Sequence, residues 1–415
     1  MPQILDSNGM PVDTLIIPNI PLFDFDGTGI KYDLLNGLRV LFPQAESESD
    51  PRSWHITVAD RDTGTIICDA DVSPGNLVVT SKKYFVPFDI CIKDADGQSI
   101  VRQSLDIKDK PVFLYMAVST IGDTFAWFPY AEQFAEKHKC NVHVVLNPKF
   151  IPLLEKQYPT IRLITPDAAQ AMLESENPPF ACYFVGLWWG KERNYQPCDH
   201  RLVGLQKTAA YILGLEPEEI KPRFDLSAPR QIKEPYVCIA AQSTTHSKNW
   251  SNATGWMDVV QFLKESGYRV LCVDRDKVQG VGNVLNYIPY GAEDFTGNHP
   301  LQERIDLIKD ADFFVGLASG LSWMAWACHV PTVLIGGFSH PITEFYTPYR
   351  VINYHACNSC WNDPQFDFDH ADWLWCPRNA GTPKQHECMK MISSAQVIQT
   401  IKRIPAFKKH MEKRQ

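Results

Sequence analysis

The sequence predicts an α/β protein in which an all-β region precedes two strand–helix series. Three observations lead there. Residues 1–109 carry short apolar runs at 14–17, 54–58, 65–68, 76–80, 90–93 and 99–105, separated by turn residues. From Pro111 the pattern changes to continuous apolar runs alternating with helical periodicity, the mark of a parallel sheet covered on both faces. A stretch rich in Pro and charge at 217–235 interrupts this alternation, which then begins again.

In the first region, Asp62-Thr63-Gly64 and Asp94-Ala95-Asp96-Gly97 read as hairpin turns. The second has the opening of a calcium loop, but loop position twelve is Leu105, so a turn is expected. In the first series, 112–118 reads as a strand, followed by a helical pattern through Lys139. A strand at 141–146, a strand at 181–187 and a helix at 200–213 complete it. The second series reads as strand 236–241, helix 254–266, strand 268–273 and helix 301–309. A helical, basic tail spans 393–410. The expected division is 1–109, an N-terminal β domain for assembly; 110–230, a first Rossmann-like domain on the acceptor side; 231–392, a second, donor-binding one; and 393–415, a C-terminal helix.

Residues 313–338 contain no Lys, Arg, Asp or Glu. Gly316, Gly320, His329, Pro331, Gly336 and Gly337 break the run, so it divides into a buried strand (313–317), a short helix (321–328) and a second strand (332–335) rather than a membrane span. A net charge of −8 over 415 residues argues against nucleic-acid or anionic-membrane binding. Residues 1–11 lack the basic start and apolar centre of a secretory signal, so a cytoplasmic location is expected.

Ligands of doubly wound sheets bind at the carboxyl ends of strands, and three segments qualify. Ser119-Thr120-Ile121-Gly122-Asp123 closes the first strand of the first series. Gly122 permits a tight turn, and Asp123 serves either as a general base for an acceptor hydroxyl or as a helix cap. Gln242-Ser243-Thr244-Thr245-His246-Ser247-Lys248 follows the first strand of the second series; its hydroxyls and its lysine suit a diphosphate, or it is a polar surface loop. Gly316-Leu317-Ala318-Ser319-Gly320-Leu321-Ser322 joins a strand end to a helix start, whose amides favour phosphate; ordinary capping by Ser319 is the other reading.

Two rival sites carry less. Gly280-Val281-Gly282 lacks the third glycine and the helix of a dinucleotide fingerprint. Asp274-Arg275-Asp276 is one of seven Asp-x-Asp occurrences in the chain and so is uninformative. Trp188-Trp189 would line an acceptor groove or, more simply, fill core.

Cys357 and Cys360 form a Cys-x-x-Cys pair; Cys376 follows after fifteen residues and Cys388 after eleven more. The intervening segment is acidic and poorly apolar, so a four-thiolate metal would replace a missing core. Two disulfides or unrelated buried thiols are the alternative. A closed four-ligand shell braces without catalysing, and spacing alone points to zinc.

Together, Gly122-Asp123, Thr244-Thr245 with Lys248, and Gly320-Leu321-Ser322 resemble, in order and context, the motifs of bacterial ADP-heptose glycosyltransferases of the GT-B architecture. The resemblance covers about residues 110–355. It departs where lipopolysaccharide-core enzymes show Asp-Thr-Gly-Leu-Ser-His: here Ala318 and Trp323 stand at the Asp and His positions. With the N-terminal β region and the cysteine segment added, the chain resembles the autotransporter heptosyltransferases. That resemblance implies ADP-heptose as donor, serines of an autotransporter adhesin passenger domain as acceptor, structural iron on Cys357, Cys360, Cys376 and Cys388, no catalytic metal, and a homododecamer. It implies Asp123 as base and Lys248 as the cation on the leaving ADP. Thr120, Gly122, Ser243, Thr244, Thr245, Ser319, Gly320, Leu321 and Ser322 become substrate-binding residues. A lipopolysaccharide-core heptosyltransferase and a non-catalytic nucleotide-binding scaffold are the alternatives.

Overall fold

The computed structural model describes residues 15–47, 50–117 and 119–414. Two parallel sheets form its centre. In the first, strands Pro111–Tyr115, Asn141–Val145, Arg162–Ile164 and Ala181–Phe184, counted in chain order, lie side by side as 3-2-1-4. In the second, Tyr236–Ala240, Arg269–Cys272, Glu293–Asp294, Phe314–Leu317, Thr332–Ile335 and Arg350–Val351 lie as 3-2-1-4-5-6. Each sheet therefore reverses its winding between strands 1 and 4, where a crevice opens at the carboxyl edge. These central strands are buried on both faces, which explains their unbroken apolar runs.

The charge-free run folds as expected, into strand Phe314–Leu317, helix Gly320–Ala327 and strand Thr332–Ile335. Among the described residues no helix is long and apolar enough to cross a membrane. Three expected elements change shape. The 200–213 helix is two helices, His200–Val203 and Leu205–Ile212, broken at Gly204. Gly204 has φ +84°, and a Cβ there would lie 1.9 Å from the Ile342 carbonyl oxygen, so the second half forces the break. The tail is likewise two helices, Ser394–Ile401 and Pro405–Arg414, since Pro405 starts a new helix more readily than it continues one. The pattern at 14–17 is not a strand in residues 15–17, and Thr14 lies outside the described residues. The first central strand ends at Tyr115, not 118; Val118 also lies outside them.

The N-terminal region forms two antiparallel sheets, including the hairpins Trp54–Asp60/Ile66–Val72 and Phe88–Asp94/Ser99–Ser104. The Asp94 carboxylate accepts from the amides of Asp96 and Gln98, so that segment is a turn. This region is not a detachable module. Leu34 bridges Ala181 in parallel, beside strand 4 of the first sheet. Phe85 packs edge-on against Phe134 and Tyr183, and one buried cluster runs through both regions. The boundary at 109 separates sheets but not core. That cluster continues into the second half through Cys238, Phe314 and Leu334, and a further cluster there is completed by Val397, Ile401, Ile404 and Phe407 of the tail.

Candidate active site

All three predicted motifs lie at the two switch points. Helix Ile121–Trp127 follows strand 1 of the first sheet and helix Gly320–Ala327 follows strand 4 of the second. The two helix starts meet: a Cβ on Gly122 would lie 3.6 Å from the Gly320 Cα, and one on Gly320 would lie 3.1 Å from the Gly122 nitrogen. The first-half motif is thereby held against the second-half helix.

Thr120 is the N-cap of its helix and Asp123 the third residue, joined in a capping box. Asp123 Oδ2 accepts from the Thr120 amide (3.1 Å) and hydroxyl (2.7 Å). Both bonds fall on Oδ2 of this half-buried carboxylate, and neither occupies Oδ1. Asp123 thus has the structural role open to it in the sequence.

Lys248 lies within electrostatic reach of Asp123 and Glu344. Desolvation pulls its ammonium below the ordinary lysine value, and the two carboxylates oppose that. Its Nζ stands 5.3 Å from the centre of the Phe338 ring. His370, which the sequence reading missed, also senses both Lys248 and Asp123; desolvation first, then the lysine charge, lowers its imidazole. It packs on Phe368 inside the cysteine segment, and no spacing rule ties a residue 122 positions downstream to this lysine.

Phosphate oxygens need donors, and several predicted hydroxyls have already given their protons away. Ser243 Oγ donates to the Thr245 carbonyl (2.7 Å) or Asn249 Oδ1 (2.8 Å). Thr245 Oγ1 donates to the Trp373 carbonyl (3.0 Å) and Ser322 Oγ to the Leu317 carbonyl (2.6 Å). Thr244 is exposed, and Ser319 caps its helix without a side-chain bond. Thr244, Ser319, Lys248 and the first amides of the Gly320–Ala327 helix therefore remain available for a diphosphate. Trp323 fills the departed His position by packing on Gly122, Trp326 and Phe345.

The rival sites resolve differently. Gly280–Gly282 forms the tip of hairpin Val278–Val281/Val284–Tyr287. Asp274 is buried; its carboxylate accepts from the Ala241 and Gln242 amides, and burial raises it to about 6. It pins the donor loop from behind. Trp188 is buried and stacked on Tyr195, whereas Trp189 is half-buried and meets His200 and Trp361 at the interface between the halves.

The four cysteines converge. Cys388 is influenced by Cys357, Cys360 and Cys376, and burial and the other three sulfurs push its thiol strongly upward. Burial raises Cys360 to about 11. Asn379 Nδ2 donates to Cys357 Sγ (3.2 Å) and the His386 amide to Cys376 Sγ (3.5 Å), the kind of support that orients metal-bound thiolates. Gly337 lets Cys388 approach, since a Cβ there would lie 2.5 Å from the Cys388 carbonyl oxygen. Among the described residues the sulfurs are neighbours without standing at ligand spacing. Four soft donors with hydrogen bonds to sulfur suit iron or zinc. All twelve cysteines stand as unpaired thiols.

Two doubly wound halves that bring a carboxylate, a lysine and two helix starts to their junction have the frame of a glycosyltransferase with two Rossmann-like domains. The sequence model of glycosyltransferase family 9 (heptosyltransferase) matches residues 194–371, and that of the N-terminal domain of glycosyltransferase TibC matches residues 27–96. The chain is 47% identical to the autotransporter heptosyltransferase Aah of Escherichia coli, over 94% of this chain and 96% of that protein. It is also similar to the crystal structure of the dodecameric iron-containing heptosyltransferase TibC in complex with ADP-D-beta-D-heptose. That match has a TM-score of 0.88 at 45% identity, covering 95% of this chain and all (100%) of the other. A further relative, 39% identical over 91% of this chain and 86% of its own length, is the inactive autotransporter heptosyltransferase BimC of Burkholderia thailandensis. The chain belongs to the autotransporter heptosyltransferase family.

Proposed function

We propose that this protein transfers heptose from ADP-heptose to serine hydroxyls of an autotransporter adhesin, with inversion at the anomeric carbon. The observation that carries the mechanism is the contact of the two helix starts at Gly122 and Gly320, with Lys248 within electrostatic reach of Asp123. Asp123 takes the serine proton as the serine oxygen bonds to the anomeric carbon. The bond from that carbon to the diphosphate breaks, and ADP leaves with the electron pair. Lys248, the Thr244 hydroxyl and the amides after Ser319 stabilise the growing negative charge. These groups supply the positive field that a divalent cation supplies elsewhere.

Cys357, Cys360, Cys376 and Cys388 would hold one structural iron, in keeping with the iron of TibC. The bound metal supplies cross-linking and no chemistry on the sugar; the residues fix the segment that carries His370 and underlies Phe338. Twelve free thiols support a reducing cytoplasm. A dodecamer like that of TibC would engage a repetitive adhesin at several points without release. The test is ADP release from ADP-heptose with an adhesin fragment and, separately, with a lipopolysaccharide-core acceptor. Release with the adhesin alone supports the proposal, and release with the lipid alone transfers the chain to the other acceptor class.

A further inference from the structure

The loop that carries Lys248 does not stand by itself. Ser247 Oγ donates to the Trp375 carbonyl at 2.5 Å, so the residue before the lysine is bonded to the residue before Cys376. Thr245 Oγ1 and the His246 amide both donate to the Trp373 carbonyl, each at 3.0 Å. Both hydroxyl-bearing residues are buried, Ser247 to 2% exposure and Thr245 to 3%. The lysine side chain is supported from the same direction. Its Nζ lies over Phe338, whose ring is wedged between Phe368 (5.5 Å) and Trp375 (5.7 Å) of the cysteine segment.

We propose that Thr245 and Ser247 are positioning residues that fasten the donor loop to the cysteine segment, so that the segment sets where the Lys248 ammonium stands. This rests on the assignment of Lys248 to the donor diphosphate. The competing role, direct diphosphate binding by these hydroxyls, conflicts with their protons being given to main-chain carbonyls, since phosphate oxygen can only accept. Losing the Ser247 hydroxyl removes its bond to the Trp375 carbonyl, and losing the Thr245 hydroxyl leaves the Trp373 carbonyl with the His246 amide alone, so either change loosens the loop. The segment thereby acts on donor binding without touching the donor.

The test measures ADP affinity of the full chain by calorimetry, with bound metal quantified in parallel. Ser247→Ala, and the isosteric Thr245→Val where the first variant folds poorly, should weaken ADP about tenfold, the size expected for one buried hydrogen bond, with metal content unchanged. Ser247→Thr, which keeps the hydroxyl, should restore most of the affinity. In a Lys248→Ala background the same substitutions should change ADP affinity less than about twofold, because their effect passes through that lysine. Wild-type affinity in both Ser247→Ala and Thr245→Val overturns the proposal, as does an equal loss with and without Lys248, which is the signature of a direct ligand. If Lys248→Ala alone leaves ADP binding unchanged, the diphosphate assignment fails instead. Hydrogen exchange then judges the tether: lost amide protection across 243–249 in Ser247→Ala upholds it, and retained protection sinks it.

Discussion

Gly122 and Gly320 touch across the junction of the two halves. A Cβ on Gly320 would stand 2.7 Å from Ile121 Cβ and 3.1 Å from the Gly122 nitrogen. Each glycine lies in the first turn of its helix, so their contact sets the distance between the two helix starts. Gly320→Ala should push the helix starts apart, costing roughly 1–3 kcal/mol as overpacking does. A melting temperature lowered by a few degrees and weakened ADP binding are the expected readings. Wild-type values for both would show that the junction yields without consequence.

Asp123→Asn should keep the fold, because an amide oxygen can still accept from the Thr120 amide. ADP should bind as before, while transfer falls by about 100-fold or more, as loss of a general base does. Single-turnover transfer at a near wild-type rate would reduce Asp123 to a cap.

Much of this was legible in the sequence because backbone preferences are local. The charge-free run at 313–338 gave its strand, helix and strand from glycine and proline positions alone. The motif positions also followed, since each stands directly after a strand. What stayed hidden was long-range. Nothing near Gly204 announces that an Ile342 carbonyl will press on it, so the 200–213 pattern read as one helix. Thr245 had the right chemistry for phosphate, but its proton goes to the Trp373 carbonyl that folding brings to it, whereas Ser243 and Ser322 donate to carbonyls two and five residues away. His370 comes within reach of Lys248 and Asp123 from a segment without apolar periodicity. The short strands Phe23–Asp24, Lys31–Asp33 and Arg39–Leu41 were missed because they are too short for a period to register.

Replacing Cys357, Cys360, Cys376 or Cys388 singly by serine should release the metal and destabilise or aggregate the chain, since the segment has little regular secondary structure and a four-thiolate metal would cross-link it. Elemental analysis of the wild-type protein should find about one metal per chain, iron before zinc. A metal-free wild type of full stability would remove the clip.

Acid should loosen the protein well above the pH at which carboxylates titrate. Burial is the main cause that lowers His138 and His200 to about 4, and Nε2 of each is buried without a partner. A folded value below the ordinary 6.5 means that stability is complete above 6.5 and declines as pH falls towards 4. The melting temperature should fall by roughly 5 °C or more between pH 7 and pH 4.5. His138→Gln, which removes one titrating ring from the contact with Phe85 and Phe134, should flatten that decline. An unchanged slope would place the acid sensitivity elsewhere.

The central claim is heptose transfer to a protein serine, and an inactive relative at 39% identity makes direct measurement of it decisive. The measurement is the intact mass of an adhesin passenger fragment co-expressed with this chain in cells that make ADP-heptose. The account predicts mass increments of whole heptose units with the wild-type chain and none with Asp123→Asn. An unmodified fragment beside well-folded, metal-loaded wild-type protein would contradict it.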